Sequence, residues 1–202
     1  MPTIQELIEQ AIEASAADGC VVIGSEHTET NLRWAANSLT TNGQMSSRSI
    51  TVVSTVDGPA GTAAGVVTRT VTTADQLLAL VRDSEHAARL AGPADDAAPL
   101  VGPYEHGDDW DSAPATTSAD VFAEFAPALG AAFRQAAGRD ERLYGFAEHQ
   151  LTSTFVASST GLRRRFDQPD GRVEINGKSA DLVRSAWVGM HTCDFTDVDV
   201  AT

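Results

Sequence analysis

Basic residues are scarce in this chain. Its 202 residues hold 14 Lys plus Arg against 28 Asp plus Glu, a formal net charge of −14, and Lys178 is the only lysine. Nucleic-acid binding draws most of its affinity from cationic neutralisation of phosphates, so this balance argues against nucleic acid as a partner, and against anionic membrane with it. Cysteine is nearly absent as well. Cys20 and Cys193 stand near opposite ends of the sequence, and no leader with a basic start, apolar middle and small-residue cleavage site precedes the first helical pattern. No apolar run approaches the ~18 residues of a membrane span. The expectation is a cytoplasmic protein with reduced thiols, a Cys20–Cys193 disulfide being the less favoured alternative.

Several chemical signatures are also missing. There is no G-x-S-x-G elbow, no Walker loop and no G-x-G-x-x-G. Gly58, Gly61 and Gly65 have the wrong spacing for a phosphate loop and no lysine nearby, so they read as a flexible hairpin tip. Between Arg89 and Arg134 there is no basic residue at all, while eight carboxylates fall there: Asp95, Asp96, Glu105, Asp108, Asp109, Asp111, Asp120 and Glu124. That run reads as a solvated acidic loop, with a cation-binding or partner-binding tail as the alternative.

What is present has the length of one large domain or two small ones, with an ordinary hydrophobic content of 42%. Thr3 and Glu6 have capping-box spacing, and Ile4, Leu7, Ile8, Ala11 and Ile12 form one stripe at helical period. Cys20 to Ser25 is a short apolar run of strand length. Period two then takes over at Leu32 and Trp34, at Ile50, Val52 and Val56, and at Val66, Val67 and Val71, predicting antiparallel strands. Turns are expected at Asn42-Gly43 and Asp57-Gly58. Thr73 with Gln76 opens a second helix with the stripe Ala74, Leu77, Leu78, Val81, Glu85 and Ala88, Glu85 at its edge, ended by Gly92 and Pro93. Ser118 caps a third helix through Val121, Phe122, Phe125, Leu129 and Phe133, with a kink at Pro127. The last third returns to strands, with turns at Ser159 to Gly161, Asp170-Gly171 and Asn176-Gly177 and a final strand from Leu182 to Gly189. The fold class is α/β of the α+β type: a largely antiparallel twisted sheet packed by about three helices.

Chemistry-bearing residues are few. His191 and Cys193 would share one face of a strand, with Asp194 and Asp197 following, but zinc needs three or four ligands held together. The run Asp194, Asp197, Asp199 lacks the glycine and terminal glutamate of a calcium loop and reads as a solvated connector. His27, His86, His106 and His149 are scattered, with no i, i+4 pair. His149, between Glu148 and Gln150, would need a nucleophile within reach to act as a general base. Arg163, Arg164 and Arg165 are the one basic cluster, and on a strand Arg163 and Arg165 share a face. They could grip a carboxylate such as a peptide terminus, or form internal ion pairs. No catalytic or metal-ligating residue is assigned. Arg163, Arg165 and His149 are the candidate peptide or interface contacts.

Two phrases carry a resemblance. Tyr144 to Ser179, YGFAEHQLTSTFVASSTGLRRRFDQPDGRVEINGKS, together with NLRWAANSLTTNG at Asn31 to Gly43, resembles the amino-terminal half of the TldD/PmbA family of peptide-processing metallopeptidases. The resemblance implies an α/β region packing against a β-rich carboxy-terminal half, unfolded peptides as substrates, and assembly as a homodimer or as a heterodimer with a paralogue. It also implies a divalent metal, zinc, held by an H-E-x-x-x-H helix and a distant cysteine in that following half. This sequence has no His-Glu pair, so none of those positions carries over and no cofactor is expected in this chain.

The expected organisation is a helix/sheet/helix unit over 1–92, an acidic loop over 93–117 that is long enough to be partly disordered, and a helix followed by antiparallel strands over 118–202. The latter two belong with the first in one domain, ending in a linker to a carboxy-terminal half outside the chain. Three functions remain open. The chain is one wall of a peptide channel and part of a dimer interface in a TldD/PmbA-like protein, with an exposed strand edge able to pair with an extended peptide, or a stand-alone non-catalytic binding or scaffold module, or a small metallohydrolase using His191 and Cys193.

Overall fold

Thr3 opens the first helix as its spacing predicts. Its hydroxyl accepts the Glu6 amide at 3.2 Å, and the Glu6 carboxylate accepts the Thr3 amide at 2.8 Å, which satisfies two amide donors that the first helical turn leaves over. The helix, α1 (Ile4–Ala14), buries Ile4, Leu7, Ile8 and Ala11. The computed structural model describes residues 2–103 and 109–200. The remaining elements are β1 (Gly19–Ala35), β2 (Ser38–Gly58), β3 (Gly61–Arg69), α2 (Ala74–Leu90), a 3-10 turn (Ala119–Phe122), α3 (Phe125–Gly138), β4 (Glu141–Ser158), β5 (Arg163–Ser179) and β6 (Ser185–Thr192). The strands form one antiparallel six-stranded sheet in the order β3-β2-β1-β4-β5-β6. The expected α+β class and its three α-helices are therefore observed among the described residues.

Three expected turns are not turns. Asn42-Gly43 lies inside β2, and both Asp170-Gly171 and Asn176-Gly177 lie inside β5. The first hairpin closes instead at Ala36 and Asn37, whose φ values of 49° and 64° give the left-handed pair that a two-residue hairpin needs. Asn37 is tied to β4: its side chain donates to the Glu141 carbonyl and accepts from the Leu143 amide, both at 2.7 Å. Those bonds outweigh the intrinsic turn preference of Asn-Gly six residues on. In β5 the glycines answer to crowding. A Cβ at Gly171 would stand 3.0 Å from the Thr192 carbonyl and 3.1 Å from the Phe195 ring. The expected turn at Ser159 to Gly161 is present, with Gly161 at φ 93°, whereas Asp57 and Gly58 pair with Thr62 and Gly61 inside the ladder and the hairpin turns one step later, at Pro59 and Ala60.

The helices differ from expectation in two details. On α2, Thr73 accepts the Gln76 amide, but the Gln76 side chain bonds Thr72 instead of completing the box. The buried arc is Leu77, Leu80, Val81, Ser84, Glu85 and Ala88, leaving Ala74 and Leu78 exposed. The cause lies on β3, where a Cβ at Gly65 would collide with the Ser84 carbonyl and the Ala88 amide. Helix backbone rests on strand backbone there and fixes which side of α2 faces inward. Ser118 caps only the 3-10 turn, and α3 starts afresh at Phe125. Pro127 thus falls in the first turn of α3, where its missing N–H is not needed and no kink results.

The chain divides into two compact units through which β1, β2, β4 and β5 each run. Unit 1 comprises Met1–Glu26, Ser47–Pro114 and Ser153–Asp167. Its core is aliphatic, built from Ile4, Leu7, Ile8, Val22, Ile50, Val52, Leu77, Leu80 and Val81 with Phe155. Glu85 is buried in it, and its carboxylate accepts the Ala16 amide at 2.7 Å and the Ser15 hydroxyl at 3.3 Å just past the end of α1. Unit 2 comprises His27–Ser46, Ala115–Thr152 and Gln168–Thr202. Its core is aromatic: Trp34, Phe122, Phe125 and Phe195 with Leu32, Leu129, Ala147 and Val173. Phe195 belongs to the segment expected as a connector. Its ring is buried edge-on against Phe122 and Phe125 at 4.8 and 5.3 Å, while Asp194, Asp197 and Asp199 remain exposed.

Candidate functional site

The basic cluster lies at the start of β5 in unit 1, and its two same-face arginines are engaged there. Arg163 forms a two-pronged ion pair with Glu9 of α1, both bonds at 2.6 Å, and donates to the Ser158 and Leu162 carbonyls. Arg165 uses all five donors: two on the Asp167 carboxylate and three on the carbonyls of Asp109, Ser112 and Ala113. Its side chain is 6% exposed and stacks over Phe155. The guanidinium ties the described end of the acidic loop to the sheet, and no donor of Arg165 is left for a peptide carboxylate. Beside α1 a cleft of about 620 Å³ is lined by Glu6, Glu9, Glu13 and Asp111 with Trp110 and Pro114. Asp95, Asp96, Asp109, Asp111 and Asp120 are solvated, as the charge run predicts, while Glu105 and Asp108 lie outside the described residues.

His149 is a buried brace in unit 2. Nε2 stands 2.8 Å from the Cys193 carbonyl and Nδ1 2.7 Å from the Thr117 hydroxyl. A carbonyl can only accept, so Nε2 carries the proton and Nδ1 accepts from Thr117. Both ring nitrogens are engaged, and the one hydroxyl bonded to the ring, that of Thr117, is buried with it, 6% exposed against 4% for His149. His191 and Cys193 are both exposed, but β6 ends at Thr192, so Cys193 lies beyond the strand on which a shared face was expected, and Asp170 stands 4.0 Å from His191 Nδ1. Among the described residues no group of three or more His, Cys, Asp and Glu side chains is placed to hold a metal ion. The residues described therefore do not fit the zinc that the resemblance implies, and no hydrolytic step is derived from them. Both cysteines are free thiols, Cys20 buried and Cys193 exposed.

Sequence reasoning expected an exposed strand edge but could not place it, and the structure offers one at β6. This strand ends the sheet order, pairs with β5 from Gly171↔Thr192 to Lys178↔Ser185, and has no strand on its other side among the described residues. Val183, Trp187 and Val188 are 80, 63 and 60% exposed. Edge strands that must stay unpaired are blunted by charge, proline or a bulge, yet Ser185–Thr192 carries only His191 among titratable side chains. The Trp187 indole lies across Gly189, donating from Nε1 to Glu174 at 3.4 Å. At the head of the strand a pocket of about 280 Å³ is lined by Lys178, Ser179, Arg184 and Ser185 with Leu143 and Glu141. The available signals were Lys178 as the only lysine and an aromatic in a strand candidate of imperfect alternation.

No protein-family profile and no curated protein matches the sequence. Solved structures do. The chain superposes with a TM-score of 0.69 on TldE from Thermococcus kodakarensis, at 12% identity, over 94% of this chain and 43% of that one. The chain has a TldD/PmbA-type fold. A suspected modulator of DNA gyrase from Bacteroides thetaiotaomicron matches with a TM-score of 0.66 at 15% identity, over 98% of this chain and 46% of its own. A second suspected gyrase modulator, from Thermotoga maritima, gives 0.62 at 12% identity, over 95% and 43%. The chain thus spans less than half the length of these TldD/PmbA-type structures. No helix among the described residues is long and apolar enough to cross a membrane.

Proposed function

We propose that this chain is a non-catalytic support of a TldD/PmbA-like peptide-processing metallopeptidase, forming a wall of the peptide path and part of a dimer interface, identical or paralogous. The observation that carries this reading is the open edge of β6, with Val188 and Trp187 exposed and no charged residue guarding it. An extended, unfolded peptide can add to such an edge through main-chain hydrogen bonds, whatever its sequence, and gain selectivity from alternate side chains. Metal and bond-breaking groups belong, on this reading, to polypeptide beyond these residues.

The test has two parts on the 202-residue chain. Incubated with zinc and a fluorogenic unfolded peptide, it should bind and not cleave. Peptide cleavage by these residues alone would end the proposal. Val188→Lys, on an exposed side chain, should weaken peptide binding about tenfold, since a charge on an open edge opposes strand pairing.

A further inference from the structure

Unit 2 has a second open edge, on β2, and we infer that it joins two copies of this chain, Ser38–Ser46 pairing antiparallel with the same segment of the second copy about a two-fold axis at Asn42. This rests on the dimer part of the proposed function and makes it specific; it does not depend on the peptide edge at β6. The segment belongs to unit 2. β2 pairs with β3 only from Ile50 to Gly58, and β1 is its other neighbour in the strand order. Ser38–Ser46 therefore has β1 on one side and no strand on the other among the described residues. Every residue in it is exposed, Leu39 and Met45 at 53% each.

The occupant follows from charge and from the order of residue types. From Trp34 to Ser47 the sequence carries no Asp, Glu, Lys, Arg, His or Pro, so the edge has none of the charges or prolines that keep such strands single. In a chain of net charge −14 a second copy is repelled in general, and an uncharged segment is where two can meet. Outward from Asn42 the residue types match on both sides: polar Thr40 and Gln44, apolar Leu39 and Met45, then Ser38 and Ser46. Thr41 is matched with Gly43, which has no side chain to oppose it.

Direction and register are set by symmetry. In a two-fold pair, if residue i of one copy contacts j of the other, j also contacts i. That reciprocity holds along an antiparallel ladder, whose bonds are exchanged in pairs, and fails for the slanted bonds of a parallel one. With the axis at Asn42, Leu39 of each copy lies opposite Met45 of the other, and both apolar pairs fall on one face of the continued sheet. Thr40 and Gln44 donate inward to the Arg33 and Thr117 carbonyls at 3.1 and 3.4 Å, so the strand is held in place before a copy arrives.

Sedimentation velocity of the 202-residue chain from about 1 to about 100 µM tests this, because self-association follows concentration. The parent should pass from monomer to dimer over that range. Asn42→Lys and Asn42→Asp each set two like charges opposite one another and should each weaken the dimer at least about tenfold. An equal mixture of the two should regain parental association as a mixed dimer. Asn42 is exposed, so circular dichroism and melting temperature of both variants should match the parent, and Val188→Lys should dimerise as the parent does. Parental association in both Asn42 variants, or a mixture no stronger than either alone, overturns the inference and leaves a dimer by another surface. Loss of the dimer in Val188→Lys alone moves the contact to β6 and likewise overturns it. A parent that stays monomeric throughout overturns it together with the dimer part of the proposed function, and leaves peptide binding at β6 to its own test.

Discussion

Unit 1 turns its polar groups inward and unit 2 leaves an edge outward. In unit 1 the arginines of β5 spend their donors on Glu9, Asp167 and loop carbonyls, and α2 sits backbone to backbone on β3. In unit 2 a core that is aromatic instead of aliphatic backs a sheet whose last strand carries Val188 and Trp187 into solvent. The difference teaches that Arg163 and Arg165, conspicuous as sequence, are engaged within unit 1, whereas the ordinary-looking last strand leaves apolar side chains in solvent.

The sharpest way to break the contrast is to disturb both units where backbones touch. Gly65→Ala in unit 1 drives a methyl group into the α2 backbone, and Gly145→Ala in unit 2 drives one into the Glu174 carbonyl and the Trp34 ring. Each should cost about 3 kcal/mol or more, at the upper end of overpacking effects, in urea unfolding. If either is neutral, the claimed close packing of that unit is wrong. Effects of similar size are expected in the cores. Phe125→Ala, which empties the space between Trp34, Phe122 and Phe195, should cost about 3–5 kcal/mol, and Leu80→Ala in unit 1 about 2–5 kcal/mol.

A smaller effect separates brace from catalyst. His149→Leu leaves the Thr117 hydroxyl and the Cys193 carbonyl without their partner, at a cost of about 2 kcal/mol, and should leave peptide binding at β6 within twofold. Loss of binding with stability intact would make His149 a contact residue after all. The smallest effect is titration of Cys20. Burial raises its thiol above the ordinary 9.0; a hydrogen bond with Ser15 opposes this and the negative charge of Glu85 adds to it. The unfolded chain ionises first, so the stability from keeping the thiol neutral is complete below about pH 9 and is lost as pH rises through the folded value. Cys20→Ala should flatten that alkaline decline, and near neutral pH a thiol reagent should label Cys193 and spare Cys20.

Much of the fold was legible because local and tertiary signals agree. The capping box at Thr3 and the stripe through Ala11 appear as read, as do the period-two strands around Ile50 and Val52. Disagreement arises where a distant backbone decides. Asn42-Gly43 has the chemistry of a turn, but Asn37 finds partners on β4 and the hairpin closes there. Gly171 has a turn sequence and a packing reason, and only the packing reason is used. Three-dimensional knowledge was also needed for the site, since burial of His149, saturation of Arg165 and the terminal position of β6 depend on contacts far apart in sequence. The resemblance carried by Asn31 to Gly43 and Tyr144 to Ser179 reached the right fold because those segments fall on β1, β2, β4 and β5, the strands common to both units.

Hydrogen–deuterium exchange of the 202-residue chain, with and without an extended, unfolded peptide, tests the central claim most directly. Main-chain pairing on the open edge predicts slowed exchange at amides within Ser185–Thr192, while Gly61–Arg69 at the opposite end of the strand order is unchanged. Protection confined to any other strand, or unchanged exchange in β6 at saturating peptide, would contradict it.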